Sequence, residues 1–451
     1  MRELLEDAAR RANEYLDRLS GRKVIPDAQA VADLVRLGGE LPQSPSDARD
    51  VLRLLDDVVS PATMAHAGPR FFGFVIGGAL PAALAANWLA GAWDQATGLR
   101  DITPGTAVLE EVSLRWLLTL LGLPRESAGG FVTGATMANF SALAAARNAV
   151  LARAGWDVEG DGLQGAPAIS VVVSQEVHPT VLKGLGLLGL GRNQVQRVPV
   201  DSQGRMRVDA LPRLAANTIV CVQAGNVNTG ACDPIAELTD RAREAGAWVH
   251  VDGAFGLWAA ASPSYAHLVR GMGGADSWAT DAHKWLNVPY DCGIVFVRDP
   301  APLRAAMSVS ADYLPASRVR DPSDYTPELS RRARGVEVWA ALRSLGTSGV
   351  AALVDRCCGY ARRFADGLQV AGHEVLNEVV LNQVLVSFGD AATTGRVIKA
   401  VQEDGTCWCG STAWQGRAAM RISVCNWMTG EQDVERSLDA ILRAAALNGA
   451  R

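Results

Sequence analysis

The sequence predicts an α/β fold organised around a mainly parallel sheet, and three observations carry that expectation. First, the middle of the chain alternates short β-branched runs with helical segments. Ile169–Ser174 and Thr218–Gln223 read as buried strands, and the helix Pro234–Ala245 leads into the strand Ala247–Val251. Continuous apolar runs mark strands covered on both faces, the usual setting of parallel sheets. Second, each run ends in small or polar residues: Glu176-Val177-His178-Pro179, Ala224 to Gly230, and Asp252-Gly253-Ala254-Phe255-Gly256. Open α/β sheets place their ligands at such carboxyl ends. Third, 451 residues exceed one typical domain. Beyond Gly335, strands and helices mix without strict alternation, which predicts a smaller α+β domain.

Composition narrows the function classes. Apolar residues make up 49% and charged residues 20%, the balance of a soluble globular protein. The net charge is −5 with both signs interspersed, so no basic patch points to nucleic acid. The longest apolar candidate, Phe71 to Ala92, is broken by Gly77-Gly78, Pro81 and Asn87, and no membrane span is expected. Met1 to Leu19 is charged and helical in pattern, unlike a signal peptide, and a cytoplasmic location follows as an expectation. Cys357-Cys358 and Cys407-Trp408-Cys409 lack CxxC partner sets, so the eight cysteines read as reduced core thiols and no metal is expected.

Along the chain, Leu4, Leu5, Ala8, Ala12, Tyr15, Leu16 and Leu19 form one helical stripe. Further helices are predicted over Asp27–Leu37 and over Ser46–Val59, the latter capped by Ser46 or Asp47. The aromatic segment from Arg70 to Val75 precedes a buried helix over Leu80–Ala92, and Thr103-Pro104 opens another running to about Leu121. Phe131 to Asn139 is a small-residue entry to the Ala-rich helix Phe140–Ala154, where free backbone N–H groups can meet an anion. Gly184 to Gly189 matches G-x-G-x-x-G, but it follows a His-Pro turn and lies well past its strand, so it is read as packing before the strand Gln194–Pro199. Asp291–Val297 gives the last strand of the large domain, and the irregular stretch from Ala311 to Arg334 reads as a lid.

The densest chemistry lies in Asp276 to Gly293, centred on His283-Lys284 among Ala282, Trp285 and Leu286. A lysine in apolar surroundings can be desolvated into a nucleophile. Asp252 stands upstream at a strand end. A Schiff-base lysine and an aspartate for the pyridinium nitrogen are the two groups that pyridoxal phosphate (PLP) takes from a protein.

On these residues, and over roughly Pro61 to Leu442, the chain resembles the group II PLP-dependent amino-acid decarboxylases, which include aromatic amino-acid, histidine and glutamate decarboxylases. The resemblance implies the aspartate aminotransferase fold (fold type I). It also implies a helical arm over 1–65 wrapping a second subunit of a homodimer, a PLP-binding domain over 66–310, a mobile catalytic loop over 311–334 and a small domain over 335–451. Lys284 would hold the cofactor as a Schiff base, Asp252 its ring nitrogen, and His178 and Ala254 its two faces. Ala135 and Thr136, with Thr280 and His283, would meet the phosphate. Asn226, where many members carry Thr, would stand near the phenolic oxygen or the substrate carboxylate. Tyr313 matches the catalytic tyrosine of the loop, with Tyr325 as the fallback, and Arg421 resembles a carboxylate-holding arginine of aminotransferases.

Asp281 departs from the asparagine that some members carry three residues before the lysine. A carboxylate facing a phosphate is repelled, so either it points away or Thr280 and His283 carry the contact. The implied activity is decarboxylation of an L-amino acid to its amine. An aromatic or uncharged side chain is expected, since residues 71–93 are aromatic-rich without a cluster of Arg or Lys. The alternative is another PLP reaction on this scaffold: oxidative deamination to an aldehyde, retro-aldol cleavage or transamination. Tyr rather than Phe at 313 favours the amine, and the presence of Lys284, Asp252 and His178 together argues against a non-enzymatic binding protein.

Overall fold

The structure, a computed structural model, describes residues 1–309 and 319–448. It contains two compact units: Gly77–Ala361 with Asn377–Gln383, and Met1–Ile76 with Arg362–Leu376 and Val384–Arg451.

The larger unit is built on seven strands: β1 (Ala128–Val132), β2 (Ser170–Ser174), β3 (Val195–Val198), β4 (Thr218–Gln223), β5 (Trp248–Asp252), β6 (Ser277–Asp281) and β7 (Gly293–Val297). Their order is β1-β7-β6-β5-β4-β2-β3. The β6-β5-β4-β2-β3 run is parallel throughout, while β7 lies antiparallel between β6 and β1. The sheet is therefore mainly parallel, as the β-branched runs predict. Every residue of β4, β5, β6 and β7 is buried, which explains why these strands show no polar alternation.

The helix after β1 runs over Ala135–Arg153 and starts five residues earlier than the sequence pattern indicates. The small residues read as a turn are its first turn, with Gly134 as the capping position. Ala138, Ala142 and Ala145 have no solvent exposure, and their small side chains bring the helix close onto the sheet. Gly293 extends that close approach to the helix entry, because a Cβ there would lie 2.4 Å from the Gly134 backbone. Gly184, in the helix Pro179–Leu187, packs against Phe140 and Leu143. It serves helix contact and not a dinucleotide turn.

Residues 320–334 contain one short 3-10 turn, Pro322–Tyr325. Arg331 is buried and pairs with Glu110 at 2.6 Å, and Arg334 pairs with Asp291 at 2.9 Å. Tyr325 is buried beneath the Arg320 guanidinium, in a setting suited to packing. Tyr313 lies outside the described residues.

In the smaller unit the helices Arg2–Leu19 and Ala48–Ala62 are joined by Arg11 and Asp56 at 2.8 Å, and Asp47 caps the second through the Arg49 N–H. Strands β8 (Glu374–Val375), β9 (Gln383–Ser387), β10 (Gly410–Trp414) and β11 (Arg417–Ser423) form a second sheet, ordered β10-β11-β9-β8. Arg421 lies on β11, where burial draws its pKa down. All eight cysteines are buried and unbridged, and burial pushes the Cys221, Cys232 and Cys357 thiols up to about 12. Among the described residues no helix is long and apolar enough to cross a membrane, and no His, Cys, Asp and Glu cluster suits a metal ion.

Candidate active site

The carboxyl ends of β4, β5 and β6 stand side by side, with Gln223 opposite Asp252 and Asp252 opposite Ala279. This register brings Asn226, Asp252, Ala254, Thr280 and the lysine loop to one edge of the sheet. The Asp281 N–H donates to the Ala254 carbonyl at 2.9 Å and the Gly253 N–H to the Ala279 carbonyl at 2.9 Å, locking the Asp252 turn to the start of that loop. The Asp252 carboxylate accepts the Ala254 N–H at 3.2 Å through one oxygen and the Asn139 side-chain amide at 3.2 Å through the other.

Lys284 is flanked by Ala282, Trp285 and Leu286, all buried, as the apolar run predicts. Its ammonium is not in an apolar pocket, however, because Asp281 Oδ2 lies 3.0 Å from Nζ. Asp281 Oδ1 accepts the Ala135 N–H at 2.6 Å. Of the two arrangements left open by the sequence, the structure shows Asp281 facing the helix entry and the lysine. The side chain turns inward because the positive end of the helix and the lysine both attract a carboxylate. This ties Ala135 directly to the lysine loop.

His283 adjoins the same turn, with its Cε1 3.3 Å from where a Gly134 Cβ would stand. Its Nδ1 accepts the Cys292 N–H at 3.0 Å, so its free proton sits on Nε2, 3.6 Å from Asp281. Burial is the main cause of the lowered His283 pKa, with Asp281 opposing it. Thr136 lies half-buried in the first helical turn. His178 caps the helix Pro179–Leu187, its Nδ1 accepting the Thr180 N–H at 3.3 Å and facing the Thr180 hydroxyl at 2.8 Å.

Asn226 Oδ1 accepts the Asn228 and Thr229 N–H groups, while its Nδ2 is buried without a partner among the described residues. Thr280 Oγ1 is likewise buried without a partner. Buried donors left unsatisfied are uncommon and mark places that a bound group completes. Together with a primary amine, a strand-end carboxylate and a helix N-terminus, they fit PLP.

Three residues of this cluster were not assigned from sequence. Asn139 reads only as the last residue of the small-residue entry; it lies one turn beyond Ala135 in the helix and therefore on the same face. Thr180 gave no signal beyond its place after His178-Pro179. His250 lies two residues before Asp252 on β5 and so shares its face.

A family model described as Pyridoxal-dependent decarboxylase conserved domain matches residues 33–389. Tryptophan decarboxylase 1 of Oryza sativa subsp. japonica is similar at 26% identity over 98% of this chain and 93% of its own length. L-2,4-diaminobutyrate decarboxylase of Rhizobium meliloti (strain 1021) is 30% identical over 80% of this chain and 74% of its own length. In fold the chain is similar to the crystal structure of Oryza sativa TDC with PLP and tryptamine, with a TM-score of 0.90 at 23% identity, covering 99% of this chain and 97% of that one. This establishes fold type I for the architecture. The chain belongs to the pyridoxal-dependent decarboxylases, and is an amino-acid decarboxylase with pyridoxal 5'-phosphate as its cofactor.

Proposed function

We propose that this enzyme converts an L-amino acid with an aromatic or otherwise uncharged side chain to the corresponding amine, and that it works as a homodimer. Bound PLP supplies an electron sink for the electron pair left at Cα when carbon dioxide departs. Lys284 would hold the cofactor and exchange a proton at Nζ. Asp252 would keep a proton on the ring nitrogen, with His178 and Ala254 bounding the two ring faces. Ala135, Thr136, Thr280 and His283 would hold the phosphate, and Asn226 Nδ2 the phenolic oxygen or the substrate carboxylate. Tyr313 would deliver the proton to Cα that makes the product an amine.

The observation that carries the substrate class is an aromatic cluster formed by Phe71 and Phe74, from the aromatic-rich segment, with Trp408. Phe71 stacks on Trp408 with ring centroids 4.9 Å apart, and Phe74 lies against the same ring at 5.5 Å. Gly73 makes the stack possible, since a Cβ there would fall 2.2 Å from the Trp408 ring. Phe74 holds a left-handed backbone (φ 55°) and stays 60% exposed. An exposed aromatic kept in an uncommon conformation is more consistent with binding than with packing. The relatives act on unlike amino acids by name, tryptophan and 2,4-diaminobutyrate, so the cluster and not the identity selects the class.

A panel of amino acids tests this reading, with carbon dioxide, amine and aldehyde all measured. The expected result is amine from tryptophan, tyrosine or phenylalanine. Carbon dioxide from glutamate, aspartate or 2,4-diaminobutyrate alone would overturn the substrate class, and aldehyde in place of amine would overturn the outcome.

A further inference from the structure

Beneath the cofactor-binding edge runs a chain of side-chain hydrogen bonds. Trp248 Nε1 meets Ser277 Oγ at 3.0 Å, and Ser277 Oγ meets His250 Nδ1 at 3.0 Å. His250 Nε2 meets Asn139 Oδ1 at 2.9 Å, and Asn139 Nδ2 reaches Asp252 Oδ2 at 3.2 Å and Thr180 Oγ1 at 3.3 Å. Thr180 Oγ1 then meets His178 Nδ1 at 2.8 Å. Asn139, His250 and Ser277 have no solvent exposure, so no water competes for these bonds.

The chemistry of the groups gives this chain one direction. A carboxylate only accepts, so the Asn139 NH₂ must face Asp252 and its carbonyl must face His250. The carbonyl needs a donor, which places a proton on His250 Nε2. Burial lowers the His250 pKa to about 3, so the ring is neutral and its Nδ1 is left as an acceptor for the Ser277 hydroxyl. Ser277 Oγ in turn accepts the indole N–H of Trp248, which can only donate. On the other branch, the second Asn139 N–H donates to Thr180 Oγ1, and the Thr180 hydroxyl proton turns to His178 Nδ1. That nitrogen already accepts the Thr180 N–H at 3.3 Å.

We infer that Asn139 is a positioning residue that ties Asp252 to His178, and that through Thr180 it fixes neutral His178 as the Nε2–H tautomer. Neutral His178 then carries its proton on Nε2. The inference rests on the proposed roles of Asp252 and His178 at the cofactor, but the chain itself exists without them.

Nitrogen-15 NMR of the full chain, labelled at its six histidines and loaded with PLP, reads the tautomers directly. His178→Gln assigns the His178 ring and His250→Asn the other; if the latter does not fold, the His178 signal decides alone. In the native protein His178 should be Nε2–H, with the other tautomer below about a tenth. Thr180→Val should raise that minor form to roughly a third or more and leave His250 unchanged, as expected when one of two hydrogen bonds to Nδ1 is lost. Asn139→Ser should shift both rings. An Nδ1–H form of His178 in the native protein, or a His178 signal unmoved in either variant, would overturn the inference. Loss of the cofactor reading would show differently, as absent PLP absorbance with both tautomers in place.

Discussion

Asp281 spans a helix N-terminus and a lysine, since it accepts the Ala135 N–H and pairs with Lys284. With the phosphate held at that helix terminus, as proposed, the carboxylate would compete with it for the donor and repel it. Asp281→Asn keeps an acceptor for Ala135 and removes the charge. The variant should bind PLP about tenfold more tightly, near 1.4 kcal/mol, in an equilibrium titration followed by absorbance. Unchanged or weaker binding would show that the carboxylate acts only as a helix cap. At this scale the sequence was informative where chemistry demands one residue type. Lys284, Asp252 and His178 were singled out because a Schiff base, a pyridinium partner and a ring cover have few substitutes. Asn139 and Thr180 were not, because amides and hydroxyls serve many local purposes and only the fold shows which atoms they join.

The meeting of β7 with the entry to the helix Ala135–Arg153 sets the shape of the turn proposed to hold the phosphate. Gly293→Ala would put a methyl group 2.4 Å from the Gly134 backbone, which has no flexible end to move aside. It should cost about 1–3 kcal/mol of stability, read as a lower Tm, and weaken PLP binding at the same time. A normal Tm with normal cofactor affinity would mean that the helix entry tolerates displacement. The β-branched strands β2, β4 and β5 were legible because their sequence pattern comes from double-sided burial. Strands β1, β6 and β10 were not read as strands. Gly129 and Gly130 lower the strand propensity of β1, yet a Cβ at Gly129 would fall 2.3 Å from the Val295 carbonyl oxygen. In β6, Ser277, Thr280 and Asp281 interrupt the apolar run because the strand carries site residues and is still wholly buried.

For the whole molecule, the N-terminal segment leaves apolar side chains in solvent, with Val35 80% and Leu41 90% exposed. Such surface is commonly an interaction surface. Sedimentation of the full chain should give twice the 47.7 kDa chain mass at micromolar concentration, and removal of residues 1–65 should shift it toward the monomer. A native monomer would remove the homodimer from the proposal. The order of elements was readable over 169–251 and again at 291–297, where strands and helices follow one another locally, with β6 missed between them. The grouping of residues 1–76 with the C-terminal segments into one unit was not, because it joins parts of the chain far apart in sequence.

The burial of all eight thiols has a practical corollary for spectroscopy. Thiolate is the reactive form, and burial both hides these groups and holds at least Cys221, Cys232 and Cys357 protonated. The native chain is thus effectively silent toward maleimide dyes. A cysteine introduced at an exposed position outside the N-terminal arm, such as Val370, would be the sole rapidly labelled site, and distances between fluorophores could be measured without first stripping out the natural cysteines.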